Sequence, residues 1–464
     1  MGFKKYLFII IILSIIFFVN YNDHKIGLPL HVDSWMMVVN ADSIQKNHQL
    51  PLSEPFSGLK QKGPLGNSII QASLSTISGM DLLEVGRILP ALLNIIIALL
   101  MYALARQLFI SPTVAIIIPV FQLLVLSQIT MLGPFYLVNL TFGMILALLA
   151  FYFLVRRSWV IFATIIFALA MTHISSMVFV CLTTGLYFLF SKDLWRKLAY
   201  LFFAGIVAVI GFIFIRGFPY FLTLLSNFFM FSKSWPYFQY INLLSPVFLT
   251  FLAIGFFLII IYEKKAALFL IPIFSFMAID LFLYWTWHGF FLVYRRLISF
   301  IFLLTPFFVG YAVYRIVKLF KNYGSLILLI LLIILVPLAI KQNTYAKQPY
   351  QVYINPFEDK LFTAFGEKFP GEYVLASHLE SFALPYYNLL PIALSPAHGA
   401  NTTYYKQVST CYAMGNTECI ASFLNSTDFV YLYSRTQLDQ EYFTPIAGLR
   451  ELKIYKFNQK IYNK

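Results

Sequence analysis

Apolar residues along the chain fall into eleven runs, near residues 6–19, 82–109, 113–132, 136–155, 159–172, 174–190, 197–215, 243–262, 266–284, 296–317 and 324–341. They are spaced like membrane helices, which need about 20 residues each. The polar intervals between them are short, with three exceptions: residues 20–81, residues 216–242 and everything after residue 342. The pattern predicts a polytopic α-helical membrane protein of about 11 spans, followed by a small C-terminal α/β domain. A membrane domain over 1–342, which includes the first outer loop 20–81, and an extracytoplasmic domain over 343–464 are expected.

Orientation follows from the basic residues. With a cytoplasmic N-terminus, the inner turns carry Lys4 and Lys5, Arg106, Arg156 and Arg157, Lys192, Arg196 and Lys197, Lys264 and Lys265, and Arg315, Lys318 and Lys321. This satisfies the positive-inside rule at each of them. The loop 20–81, the loop 216–242 and the C-terminal domain then lie outside. Two lysines ahead of a short apolar core also describe a secretory signal, but FFVNYND offers no small-residue cleavage site, so a retained anchor is expected.

Composition agrees: 60% hydrophobic residues, 11% charged and a mean hydropathy of +0.79 exclude an ordinary soluble domain. The net charge of +14 is spread in short clusters between apolar runs, which fits topology and argues against a nucleic-acid partner. The sequence has no Gly-rich phosphate loop and no Cys/His cluster at zinc spacing.

The first polar interval opens with HVDSWMMVVNAD, residues 31–42. SWMMVVNADSIQKN reads as a short helix at the membrane surface, stopped before Pro51, with Asp33 as its N-cap. At about 100° per residue Asn40 lies within roughly 20° of Asp33, while Asp42 lies on the opposite face. Asp33 and Asp42 are therefore not a paired acid and base. A second short apolar helix is expected around 66–78.

An acid at the start of the first outer loop, a surface helix, the segment GPLGNSIIQASLSTISG and the run RILPALLNIIIALLMYALARQLF together resemble the GT-C superfamily of membrane glycosyltransferases. The resemblance covers about residues 31–109 in motif and the whole membrane portion in layout. It implies a polyprenyl-phosphate-linked sugar as donor and a lipid, glycan or protein as acceptor. The second acid that usually follows the first is replaced here by Ser34, which leaves the divalent metal of such enzymes open.

Sugar transfer from a lipid phosphate to a hydroxyl needs a carboxylate for the acceptor's proton and cations for the departing phosphate. Asp33 is the candidate base, with Asn40 on its face. Arg216, Arg295 and Arg296 are the candidate cations at the outer surface, where guanidinium forks suit phosphate. Snorkelling to the interface is the alternative for each. The run 159–190 is short for two full crossings, so its tip at Thr172 and His173 falls below the surface, where His173 is either a phosphate contact or a packing residue. Asp280 is an acid at membrane depth, read as functional or as a partner of Arg295 or Arg296.

In the tail, EYVLASH, DFVYLYS and LKIYKFN read as strands and CIASFLNS as a helix. Cys411 and Cys419 fall here, and an extracytoplasmic compartment permits a disulfide between them; Cys181 reads as core. Sequons at Asn401 and Asn425 fit the same side, and His378, Glu380 and His398 lack metal spacing. The rival classes are a lipid or glycan flippase and a noncatalytic scaffold of a surface-glycan assembly.

Overall fold

A computed structural model describes residues 3–23, 32–51, 65–126, 138–189, 244–285, 294–347, 354–376, 383–391, 416–426, 429–435 and 437–458, with a few isolated positions between them. The expected span 197–215 and the loop 216–242, Arg216 included, lie outside these residues apart from six helical positions between 205 and 213. The chain forms two compact units: Met1–Asn22 with Leu89–Tyr350, and Asp23–Ile88 with Gln351–Lys464.

The first unit is helical. It contains α1 (Phe3–Asp23), most of α4 (Leu82–Leu108), α5 (Pro112–Ile117), α6 (Asn139–Val155), α7 (Trp159–Thr172), α8 (Ile174–Leu189), α9 (Pro246–Tyr262), α10 (Lys264–Trp285), α11 (Tyr294–Leu319) and α12 (Gly324–Lys347). Among the described residues, three stretches are long and apolar enough to cross a membrane: Leu82–Leu108, Ile298–Leu319 and Gly324–Thr344. Leu326, Leu329, Ile330, Ile333 and Ile334 of α12 are exposed, a surface suited to lipid rather than to water. The run expected as one helix over 113–132 is instead α5 followed by a 3₁₀ turn at Ile118–Leu124. Pro119 explains the change, since it lacks an N–H and its ring crowds the carbonyl four residues back.

One end of this unit is pinned by Glu263, a buried acid between α9 and α10. Its carboxylate accepts from the backbone N–H of Ile110 (3.3 Å) and from the Tyr311 hydroxyl (3.4 Å). Beside it, Lys265 Nζ donates to the carbonyl of Gln107 (2.6 Å), and the Arg315 guanidinium lies 3.5 Å from the Tyr262 ring centre. α9 and α11 pack so closely that a Cβ at Gly255 would fall 2.0 Å from the Phe308 carbonyl oxygen.

The second unit holds α2 (Val32–Asn47), α3 (Gly66–Ser78), the first turns of α4, α13 (Pro356–Lys368), α14 (Thr417–Asn425) and a five-stranded sheet. Its strands are β1 (Tyr373–Leu375), β2 (Leu390–Pro391), β3 (Tyr431–Ser434), β4 (Phe443–Leu449) and β5 (Leu452–Phe457), in the order β2-β1-β3-β5-β4. β1 is parallel to β2 and β3, while β5 is antiparallel to β3 and β4. Alternate residues serve opposite faces, as the two-residue period of a strand requires. Val374, Tyr433 and Ile454 join Trp35 and Val39 of α2 and Leu361, Phe362 and Phe365 of α13 in one core. Leu375, Leu432 and Tyr455 join Ile420, Ala421 and Leu424 of α14 in the other.

α13 starts with a capping box. Asn355 accepts from the backbone N–H groups of Phe357 and Glu358, and Glu358 accepts from that of Asn355. Glu358 is fully buried and also accepts from the Tyr433 hydroxyl and from Arg435 Nε (2.6 Å), which joins helix to sheet. Cys411 and Cys419 are joined as a disulfide with Cα atoms 5.6 Å apart, at the start of α14.

Candidate active site

In the second unit, α2 and α3 run side by side in the same direction. Met37 Sδ meets Ser68 Oγ at 3.7 Å, and Gln45 Nε2 donates to Thr76 Oγ1 and to the Ala72 carbonyl, both at 3.3 Å. Two of these pairs are 31 positions apart in sequence, which fixes the register: Asp33 stands level with the start of α3, and Asn40 with Gln71. Asp33 is not the N-cap that the sequence suggested. It lies inside the first turn of a helix that already begins at Val32, where a carboxylate still favours the positive end of the helix dipole. Trp35, two residues on, is fully buried, with ring centres 6.0 and 6.1 Å from those of Tyr386 and Tyr387. The candidate base is thus anchored through α2 to the core of the sheet domain.

Asn40 is buried, and its Oδ1 has no hydrogen-bond partner among the described residues. Gln71, which the sequence did not single out, is fully buried with both amide atoms unpartnered among the described residues; its Nε2 lies 3.4 Å from where a Cβ on Gly86 would be. Asp42 faces elsewhere. It pairs with Lys46 at 2.7 Å, and Lys46 also reaches Asn388 Oδ1 at 3.2 Å. Burial holds the Asp42 carboxyl above the usual range, Asp81 pushes the same way, and Lys46 opposes both. The Tyr386 and Tyr387 hydroxyls are also pushed up, first by burial and then by neighbouring carboxylates. Among the described residues no three His, Cys, Asp or Glu side chains converge to hold a metal.

In the first unit, His173 separates α7 from α8 in an extended conformation (φ −154°, ψ 94°). Its Nδ1 lies 2.7 Å from Ser176 Oγ and accepts from the Ser176 backbone N–H at 3.2 Å. A side-chain acceptor for the third N–H of a helix is an N-cap, here supplied by an imidazole. α8 and α11 run in the same direction, since Tyr187 near the end of α8 packs on Phe269, close to the Glu263 end that binds Tyr311 late in α11. The rings of Phe179 and Phe300 stack at 4.0 Å. His173 stands six residues before Phe179, about 9 Å along the helix, and Arg295 and Arg296 stand five and four before Phe300, about 6 to 7.5 Å. The chain therefore brings His173 level with the first turn of α11, which carries the arginine pair. Asp280 is not at that level: Phe274 packs on Phe308, which sets Asp280 beside about residue 302, roughly two turns deeper. Ser176 and Gly143 also belong to this site; the H-x-x-S spacing of a cap was their available signal.

This fold is similar to that of solved oligosaccharyltransferase, ArnT and arabinofuranosyltransferase structures. Three solved structures are among those that share it. The oligosaccharyltransferase of Archaeoglobus fulgidus in its apo form matches 99% of this chain and 75% of its own, with TM-score 0.62 and 13% identity. ArnT from Cupriavidus metallidurans bound to undecaprenyl phosphate matches over 98% of both chains, with TM-score 0.62 and 11% identity. The arabinofuranosyltransferase AftD from Mycobacteria matches 97% of this chain and 40% of its own, with TM-score 0.59 and 15% identity. No protein-family model matches the chain, and no curated protein matches it by sequence.

Proposed function

We propose that the chain transfers a sugar from a polyprenyl-phosphate donor to an acceptor hydroxyl at the extracytoplasmic face of a membrane. The acceptor is a lipid, a glycan or a protein. In a single displacement, the acceptor oxygen bonds to the anomeric carbon as the bond from that carbon to the phosphate oxygen breaks, with inversion. Asp33 takes the acceptor's proton, and polyprenyl phosphate leaves with the electron pair. Arg295 and Arg296 stabilise that phosphate, assisted by His173 and Arg216, while Asn40 supports the face that carries Asp33 and Asp280 remains structural. The observation that carries this reading is the level placement of His173 with the first turn of α11, in a fold shared over full length with a protein bound to undecaprenyl phosphate.

The proposed topology has 11 spans with a cytoplasmic N-terminus. It puts the C-terminal domain in an oxidising compartment, where the Cys411–Cys419 bond is at home. The test is release of polyprenyl phosphate from a pool of lipid-linked sugars by the purified protein in liposomes, given acceptor-containing extract with and without divalent metal. Wild type should release it, and Asp33→Asn should lose on the order of 100-fold or more in rate. Full activity in Asp33→Asn removes the base assignment, and release by neither protein removes the transferase reading.

A further inference from the structure

We propose that Ser176 and Gly143 are positioning residues that hold His173 as its neutral Nε2–H tautomer, so that the imidazole serves the donor's phosphate as a hydrogen-bond donor without adding charge. This rests on the transferase reading above and specifies one part of its phosphate site.

The tautomer follows from the hydrogen bonds. A backbone N–H can only donate, and that of Ser176 is directed at His173 Nδ1 (3.2 Å), so Nδ1 must present its lone pair there. The Ser176 hydroxyl, 2.7 Å away, then donates to the same nitrogen. The ring proton is left on Nε2, which can donate and cannot accept. Ser176 is fully buried, and Gly143 of α6 is what gives it room. A Cβ at position 143 would fall 2.3 Å from Ser176 Oγ and 3.1 Å from both Cβ and Nδ1 of His173. The Nδ1 edge of the ring is thereby fixed against α6 and α8.

An Nε2–H fixed at the level of the arginine pair suits a phosphate. A charged acceptor forms a hydrogen bond about twice as strong as a neutral one, so the phosphate draws this donor in preference to any neutral acceptor it meets without ligand. Keeping the imidazole neutral also limits the positive charge beside Arg295 and Arg296, so that the phosphate is held by direction as well as by charge.

Two substitutions separate the cap from the donor. Asparagine is among the best N-caps, so His173→Asn keeps the start of α8 while removing the Nε2 donor. Glutamine carries an N–H group near the position of Nε2, so His173→Gln restores it. Undecaprenyl phosphate binding to the full chain in nanodiscs should weaken about ten- to a hundredfold in His173→Asn, with thermal stability unchanged. It should return to within a few fold of wild type in His173→Gln. Gly143→Ala and Ser176→Ala should each weaken binding less than His173→Asn, and the double variant should be no weaker than the worse single one. ¹⁵N spectra of histidine-labelled protein, with the His173 signals identified by their loss in His173→Gln, should show Nδ1 unprotonated and Nε2 protonated.

Undiminished binding in His173→Asn overturns the inference, as does a protonated Nδ1. If binding is undiminished while Asp33→Asn still abolishes transfer, the transferase reading stands and this inference alone fails. If wild type binds no undecaprenyl phosphate and releases none, both fail.

Discussion

Replacing Trp35 with alanine tests whether the candidate base is held by the sheet domain. The side chain is fully buried among Val39, Phe362, Tyr387, Tyr433 and Ile454, so truncation removes a large apolar volume from a core that closes only partly behind it. The expected cost is about 3–5 kcal/mol. Phenylalanine gives the opposite contrast. Among the described residues Trp35 Nε1 is buried with no acceptor, a penalty of about 1–3 kcal/mol that phenylalanine does not carry, and this offsets much of the packing lost with the smaller ring. Trp35→Phe should therefore fall within about 1 kcal/mol of wild type. Amide hydrogen exchange of the full chain in detergent reads this unit directly, through peptides spanning 32–47 and 431–457. Trp35→Ala should speed exchange there by about a hundred- to several-thousandfold and lower transfer, and Trp35→Phe should change either by no more than about tenfold. Exchange unchanged in Trp35→Ala, or a phenylalanine variant as impaired as the alanine one, would refute the reasoning.

Two further substitutions address the same unit. Asp42 has a raised carboxyl, so the folded state binds its proton more tightly than the unfolded chain does; its contribution to stability is full below the unfolded value of 3.8 and is lost as pH rises through the folded value. Asp42→Asn should flatten that part of the pH–stability curve and raise the melting temperature at neutral pH relative to wild type, and a neutral-pH melting temperature below wild type would contradict this. Glu358→Gln breaks the pairing with Arg435 and the bond from Tyr433; because Arg435 is 46% exposed and regains water, the expected loss is about 1–3 kcal/mol, measured by the same exchange peptides in the C-terminal sheet.

Periodicity in the sequence reached most of the elements that carry these arguments. The helix over 32–47, the helix at 66–78, the break at His173, three strands and α14 all lie where apolar runs and polar breaks put them. The misses have separate causes. α13 begins at N-P-F-E, a capping box with proline at the first helical position, and its signal was hidden in a polar stretch read as the opening of the tail. β4 has a mostly exposed pattern, so apolar alternation does not mark it. Pro119 was legible as a helix breaker but was outweighed by the apolar run around it. At the candidate site, residue types singled out Asp33, His173 and the arginine pair. The register of α2 on α3, the stack of Phe179 on Phe300 and the Gly143–Ser176 support depend on packing between segments far apart in sequence, which a local pattern does not encode.

The depth at which polarity occurs bears on transfer against transport. A secondary transporter places substrate-coordinating groups near the middle of its helices, often where the helices are interrupted. Asn94 lies near the middle of α4 and is buried, as are Gln122 and Asn343, so this bundle does have polarity at depth. Their amide nitrogens are directed at the backbone and at one another, while Gln122 Oε1 and Asn343 Oδ1 have no partner among the described residues. Asn94 Nδ2 donates to the carbonyl of Pro90 (2.9 Å), Gln122 Nε2 to Asn94 Oδ1 (2.5 Å), and Asn343 Nδ2 to the Leu123 carbonyl in the 3₁₀ turn after Pro119. Pro90 interrupts α4, Pro119 the turn that supplies the Leu123 carbonyl, and Pro337 α12, so this polarity clusters where the helices are disturbed. The arginine pair and the histidine capped through Nδ1 stand instead at the N-terminal ends of α8 and α11, about 9 Å or less before the Phe179–Phe300 stack. The polar groups at depth are neutral amides, whereas the cations and the fixed donor gather at one end of the bundle, the arrangement expected of the proposed reaction on a lipid phosphate.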